Sequence, residues 1–206
     1  MHMSQQAVIA VVAAYLIGSI SFAIVFSKLF RLADPRSYGS GNPGATNVLR
    51  SGNKAAALLT LLFDALKGWF PVWLARLVAD EYGFGADVIG AVALAAFLGH
   101  LYPVWHRFQG GKGVATALGV LLGLSWQLAL AALGAFVVVV KLSRYVSLSS
   151  ITAAFVATVA SAAMRGIDAI TLAVLAMALL LVWRHRANVA RLRAGTESKL
   201  GAKKAV

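Results

Sequence analysis

The sequence predicts an all-α integral membrane protein: a seven-transmembrane-helix bundle with its N-terminus outside, its C-terminus inside, and spans four and five short. Three observations carry that prediction. The chain is 60% hydrophobic and 13% charged, with a mean hydropathy of +0.80, whereas an ordinary globular domain carries about 25% charged residues. Apolar runs approaching or exceeding ~18 residues recur along it, and in lipid such runs cross as helices because every backbone group must pair internally. The basic residues fall mainly in short segments between those runs, as topology determinants do. That placement explains the net charge of +12 without a nucleic-acid partner. One domain over 1–206 is expected, ending in a basic cytoplasmic tail, 184–206.

Residues 1–6 carry no Lys or Arg, and the apolar run after them is longer than a signal-peptide core. Span one is therefore an uncleaved helix, 7–29, with Lys28 and Arg31 marking its inner end. The first inside loop sets Arg31, Arg36, Arg50 and Lys54 against Asp34. Span two, 55–78, contains Asp64 and Lys67 one turn apart. Their depth suits a neutralising pair that lines the bundle. Asp80, Glu81 and Asp87 mark an outside loop. Span three, 88–106, leads to a second inside loop, 107–113.

The stretch 114–140 fits either one tilted span or two short ones of about 20 Å. Parity selects the hairpin, turning near Leu124-Ser125-Trp126-Gln127. It keeps Lys141, Arg144 and the tail cations Arg184, Arg186, Arg191, Arg193, Lys199, Lys203 and Lys204 inside. Span six, 150–164, turns outside at Arg165-Gly166-Ile167-Asp168, and span seven, 169–183, returns to the tail.

Nearly every polar motif thus faces one side. Gly39-Ser40-Gly41-Asn42-Pro43-Gly44-Ala45-Thr46-Asn47, with Arg50 after it, combines permissive backbone, neutral donors and a planar cationic fork suited to phosphate. It also fits the dinucleotide pattern G-x-G-x-x-G, but a transmembrane run precedes it where a strand is required. Gly110-Gly111-Lys112-Gly113-Val114-Ala115-Thr116 offers successive N–H groups at a helix N-terminus and a full charge on Lys112. It is not a Walker A loop, which needs glycine at His106 and Ser or Thr at Gly113. Either segment could equally be a turn with a topology cation.

Ser143-Arg144-Tyr145-Val146-Ser147-Leu148-Ser149-Ser150 could cap span six or touch a substrate. In the tail, His185 and Asn188 share a face if 184–193 is helical. A basic amphipathic segment of this kind also rests on anionic membrane lipids.

Negative evidence narrows the chemistry. Of seven acidic residues only Asp34 and Glu197 lie clearly inside, too few for a carboxylate-rich metal site, and no cofactor is implied. No Cys is present to act as nucleophile or thiolate ligand, no His has Asp five residues on, and no Ser–His–acid set is visible. Two anion cradles without a general base suit a reaction in which both substrates carry phosphate and one is already activated. An acyl phosphate, attacked directly by an alcohol, meets that description. A transporter for a small organic anion is the alternative. It calls for paired broken helices or an inverted repeat, and neither is evident.

The two glycine motifs, together with Arg144-Tyr145-Val146-Ser147 and Arg184-His185-Arg186-Ala187-Asn188, resemble the bacterial acyl-phosphate:glycerol-3-phosphate acyltransferases over essentially the whole chain. That resemblance implies acyl transfer from acyl phosphate to the 1-hydroxyl of sn-glycerol 3-phosphate, giving lysophosphatidate and phosphate, the first step of bacterial phospholipid synthesis. It implies a soluble partner enzyme that makes acyl phosphate, and a multi-pass location in the cytoplasmic (inner) membrane with the site on the cytoplasmic side. By the same analogy Gly110, Gly111 and Gly113 hold the donor phosphate. Ser40, Arg50, Lys112, His185 and Asn188 grip glycerol 3-phosphate, with Ser150 nearby. Asn42, Thr46, Asn47, Thr116 and Ser147 complete the candidate set, and Glu197 is expected to be architectural.

Overall fold

The computed structural model describes residues 4–201, so Lys203 and Lys204 of the predicted tail lie outside the described residues. Among those residues every regular element is helical: α1 Gln5–Gly18, α2 Phe22–Leu29, α3 Ala45–Val48, α4 Lys54–Leu77, α5 Ala79–Tyr82, α6 Ala86–Leu101, α7 Val114–Leu124, α8 Trp126–Ser143, α9 Val146–Arg165, α10 Ala169–Arg184 and α11 Arg186–Arg193. Four apolar helices are long enough to cross a membrane, and two bent pairs, α1–α2 and α10–α11, raise that number to six.

The predicted first span is broken rather than continuous. Its halves meet at 41° across Ser19, Ile20 and Ser21. Gly18 lies against the backbone of Ala96, Ser19 Oγ donates back to the Tyr15 carbonyl, and Lys67 Nζ donates to the Ile20 carbonyl at 2.6 Å. A lysine on α4 thus satisfies a carbonyl that the break leaves without a helical partner.

The chain breaks at Ser125, where the turn was expected, but the two arms are unequal. Helix α7 has 11 residues and α8 has 18, about 16 and 27 Å of rise. The fifth segment is therefore not short. The fourth is, because Arg76, near the end of α4, donates to the carbonyls of Gly123 and Leu124, both at 2.8 Å, and closes α7 early. Arg76→Met should strand two carbonyls in apolar surroundings, costing about 1–3 kcal/mol for each group. Thermal unfolding in detergent would report that loss.

Small residues let the helices approach. Gly68 of α4 sits on the Thr116 carbonyl and Gly119 of α7 on the Ala65 carbonyl, a small-residue seam of the kind that packs membrane helices. Helix α6 is the most enclosed, with Val92, Ala93, Ala96, Phe97 and Leu101 fully buried beside Val72, Val120 and Leu128. No serine caps α9: its N-cap is Tyr145, and Ser149 and Ser150 instead donate to carbonyls one turn back. Competition from the backbone carbonyl inside a helix explains that outcome.

Candidate active site

The segments singled out for chemistry converge at one end of the bundle. The first loop is shaped by Asn47, which is buried. Its Nδ2 donates to the carbonyls of Pro35, at 2.6 Å, and Tyr38, while its Oδ1 accepts from the Ser40 N–H at 2.9 Å. Asn47 is thus a brace for the loop rather than a free ligand. Ser40 and Thr46 remain exposed and Asn42 half-buried, and among the described residues their side chains make no hydrogen bond. Arg50 lies against Gly39 and reaches the far end of the chain, donating to Ser198 Oγ at 3.1 Å.

The second loop packs on the first. A side chain at Gly111 would overlap His100 Nε2 and come within 3.0 Å of the Pro43 carbonyl, so only glycine allows this approach. Gly113, at φ +83°, turns the chain into α7, whose N-terminus has no side-chain cap. The positive end of that helix is available to an anion. The expected nest is smaller than predicted, however. The Gly111 N–H already donates to the His100 carbonyl at 3.1 Å. Arg184 fixes the opposite side of the loop, donating from Nε to Gly111 O at 3.0 Å and from a terminal nitrogen to Gly110 O at 2.6 Å. With its carbonyls held by Arg184, the loop keeps Lys112 to one side.

Lys112 Nζ donates to Asn188 Oδ1, and Asn188 Nδ2 donates to Glu197 Oε1 at 2.6 Å. Ser147 Oγ donates to the same oxygen at 2.7 Å, and Arg191 donates to Oε2 at 2.7 Å. Glu197 is therefore a hub joining α9, α11 and the tail. Burial acts to raise its pKa, but these three hydrogen bonds prevail and hold it below the usual carboxylate range. The strap continues to Arg144, which donates to Leu200 O, while the Leu200 N–H donates to Arg144 O at 2.7 Å.

Burial, reinforced by Arg191, Arg184 and Arg50, pushes the Lys112 pKa down to about 8. His185 sits at the 57° bend between α10 and α11. Burial, with Lys112 and Arg184 adding to it, pushes its imidazole down to about 4, so it is neutral at pH 7. Its Nδ1 lies 2.8 Å from the Leu181 carbonyl. That pairing assigns the proton to Nδ1 and leaves Nε2 as an acceptor.

Arg50, Gly110, Gly111, Lys112, Gly113, Ser147, His185 and Asn188 are thus gathered into one neighbourhood, with the first loop meeting it at Pro43. Thr116 is not among them: it is buried against Gly68 in the α4–α7 seam. Ser150 is buried one turn beyond Ser147 on α9, its hydroxyl donating to Val146 O. The sequence placed Arg184 in the tail motif without giving it a role, and did not single out His100. A cation one residue past the last span, and an imidazole at the inner end of span three, were the available signals. Both contact the glycine loop.

A model of the glycerol-3-phosphate acyltransferase family matches residues 8–195. A glycerol-3-phosphate acyltransferase from Ralstonia nicotianae is 58% identical over 197 residues, covering 96% of this chain and 95% of its own. One from a Janthinobacterium species is 59% identical over 191 residues, covering 93% and 95%. Among solved structures, the chain resembles the integral membrane glycerol 3-phosphate acyltransferase PlsY (YgiH) in its glycerol 3-phosphate form. The TM-score is 0.88 at 40% identity, covering 95% of this chain and 96% of that one. For the lysophosphatidic acid form the score is 0.85 at 39% identity, with the same coverage. A helical membrane fold, two anion-suited loops brought together at one end and these relatives lead to one conclusion: the chain belongs to the glycerol-3-phosphate acyltransferase family.

Proposed function

We propose that the chain moves a fatty acyl group from acyl phosphate to the 1-hydroxyl of sn-glycerol 3-phosphate, releasing lysophosphatidate and inorganic phosphate. The observation that carries this reading is the meeting of two cationic, glycine-rich loops where no carboxylate is free to act as a base. Glu197 is engaged by three donors, and a His185 pushed down to about 4 is a weak proton acceptor at neutral pH. Catalysis is then positioning plus electrostatic stabilisation. The hydroxyl oxygen attacks the acyl carbon, the bond from that carbon to the phosphate oxygen breaks, and the departing phosphate takes the hydroxyl proton. His185 Nε2 orients the hydroxyl. Gly110 and Gly113 with the α7 N-terminus hold the donor phosphate, and Ser40, Arg50, Lys112 and Asn188 grip glycerol 3-phosphate.

An apolar groove of about 490 Å³, lined by Leu16, Ile17, Ile20, Trp105 and His106, fits the acyl tail. Its Ile20 also lies near Gly111 and Lys67. The chain then forms one domain of seven crossing segments, α7 being the short one, N-terminus out and C-terminus in. Its site faces the cytoplasm from the inner membrane, where α11 meets anionic lipids and a soluble enzyme delivers acyl phosphate.

The reading is tested by offering the purified protein acyl phosphate, acyl-CoA and acyl carrier protein as donors while following phosphate release. Turnover with acyl phosphate alone supports it; turnover with a thioester and no phosphate release sinks it. His185→Ala should retain most of kcat if the imidazole only orients the acceptor, whereas a loss beyond ~10⁴-fold at constant KM would make it the base. Arg50→Lys keeps the charge but loses the fork, and should raise KM for glycerol 3-phosphate through a loss of about 1–3 kcal/mol. Unaltered kinetics would remove Arg50 from the site.

A further inference from the structure

One polar cluster inside the bundle has no part in the chemistry above. Asp64 and Lys67 are paired at 2.6 Å with side chains only 4% and 2% exposed. An ion pair at that depth is costly unless it is well connected, and this one joins segments far apart in sequence. Lys67 Nζ donates to the Ile20 carbonyl in the α1–α2 break at 2.6 Å. Asp64 Oδ1 stands 3.8 Å from His100 Nδ1, beyond hydrogen-bond reach, and His100 Nδ1 has no hydrogen-bond partner among the described residues. The carbonyl of His100 accepts the Gly111 N–H at 3.1 Å, its imidazole fills the space beside the Gly111 Cα, and the Pro43 carbonyl closes that space from the first loop. Ile20, Lys67, His100, Gly111 and Pro43 thus face one another across a narrow gap.

We propose that Asp64, Lys67 and His100 are positioning residues: together they fix loop 110–113 against the first loop, and so set the separation of the two phosphate grips. The inference rests on the reading that these loops hold phosphates. Lys67, hydrogen-bonded to the Ile20 carbonyl and paired with Asp64, resists displacement in a directed way that apolar packing does not. Asp64 faces the imidazole across 3.8 Å, and the imidazole packs against Gly111. A pair serving only bundle stability would alter melting and leave the relation between the two substrates unchanged.

The test compares His100→Ala, His100→Gln and the charge-neutral double variant D64N/K67M, each as the full chain in detergent or vesicles. His100→Ala should raise KM for acyl phosphate at least ~10-fold while KM for glycerol 3-phosphate moves less than ~3-fold, and His100→Gln should recover part of that loss. D64N/K67M removes both charges, so no ion is left unpaired, and it should show the same donor-selective change. A readout that needs no substrate accompanies it. The natural sequence has no cysteine, so spin labels at Ser37→Cys and Gln109→Cys report the loop-to-loop distance, which should broaden in His100→Ala.

Unchanged kinetics with an unchanged distance distribution overturn the proposal, as does an equal rise in both KM values. Failure of all three variants to fold also overturns it, since the cluster is then a stability element alone. If the active donor proves to be a thioester, the reading of the substrate fails. The donor-selective shift, measured with that thioester, and the broadened distance still decide the positioning role.

Discussion

Lys112→Met should lower kcat/KM by ~10²–10³-fold, the range for removing one preorganised donor at a developing oxyanion. The side chain is near methionine in length, so the change removes charge with little change in packing. The pH profile supplies the sharper evidence. Phosphate binds the protonated amine, and burial with three neighbouring arginines already pushes that amine down to about 8. In the free enzyme the favourable state is therefore complete well below pH 8 and lost as pH rises through it. For the wild type kcat/KM should fall about tenfold per pH unit above that point. For Lys112→Met the same limb should be flat. A wild-type profile level to pH 10 would show that Lys112 does not meet the phosphate as a cation.

Gly111→Ala should cost about 10²-fold in kcat/KM for the donor, the scale of a displacement near 1 Å in a site that works by positioning. The added methyl overlaps His100 Nε2 and crowds the Pro43 carbonyl. Both neighbours are buried, so the loop rather than the bundle must yield. Gly134→Ala in α8 serves as the control. No atom lies within 4 Å of the methyl it adds, and in a helix interior alanine is favoured over glycine by about 0.5–1 kcal/mol. Activity equal to wild type in Gly111→Ala would leave the segment a simple turn.

Much of this architecture was legible in composition and charge placement. A break near Leu124-Ser125-Trp126-Gln127 was expected from the sequence, and α7 gives way to α8 at Ser125. The unequal arms did not follow, because the end of α7 is determined by Arg76 reaching across from α4. Asn47 and Thr116 have the right chemistry within the right motifs. Only folding reveals that one braces its own loop and the other lies in a helix seam. Local residue type states what a side chain can do, whereas its partners depend on which distant backbone comes near.

By itself the sequence determined the helical membrane class, the two glycine-rich cationic motifs and their kinship with the glycerol-3-phosphate acyltransferases. Each is a property of neighbours along the chain: apolar run length, charge between runs, motif spacing. Only the tertiary structure decided that Arg184 clamps Gly110 and Gly111, that Glu197 ties Ser147, Asn188 and Arg191 together, and that Lys67 caps the break at Ile20. These bonds join residues that are mostly far apart in the chain, and their geometry follows from how the helices pack, which no local pattern encodes.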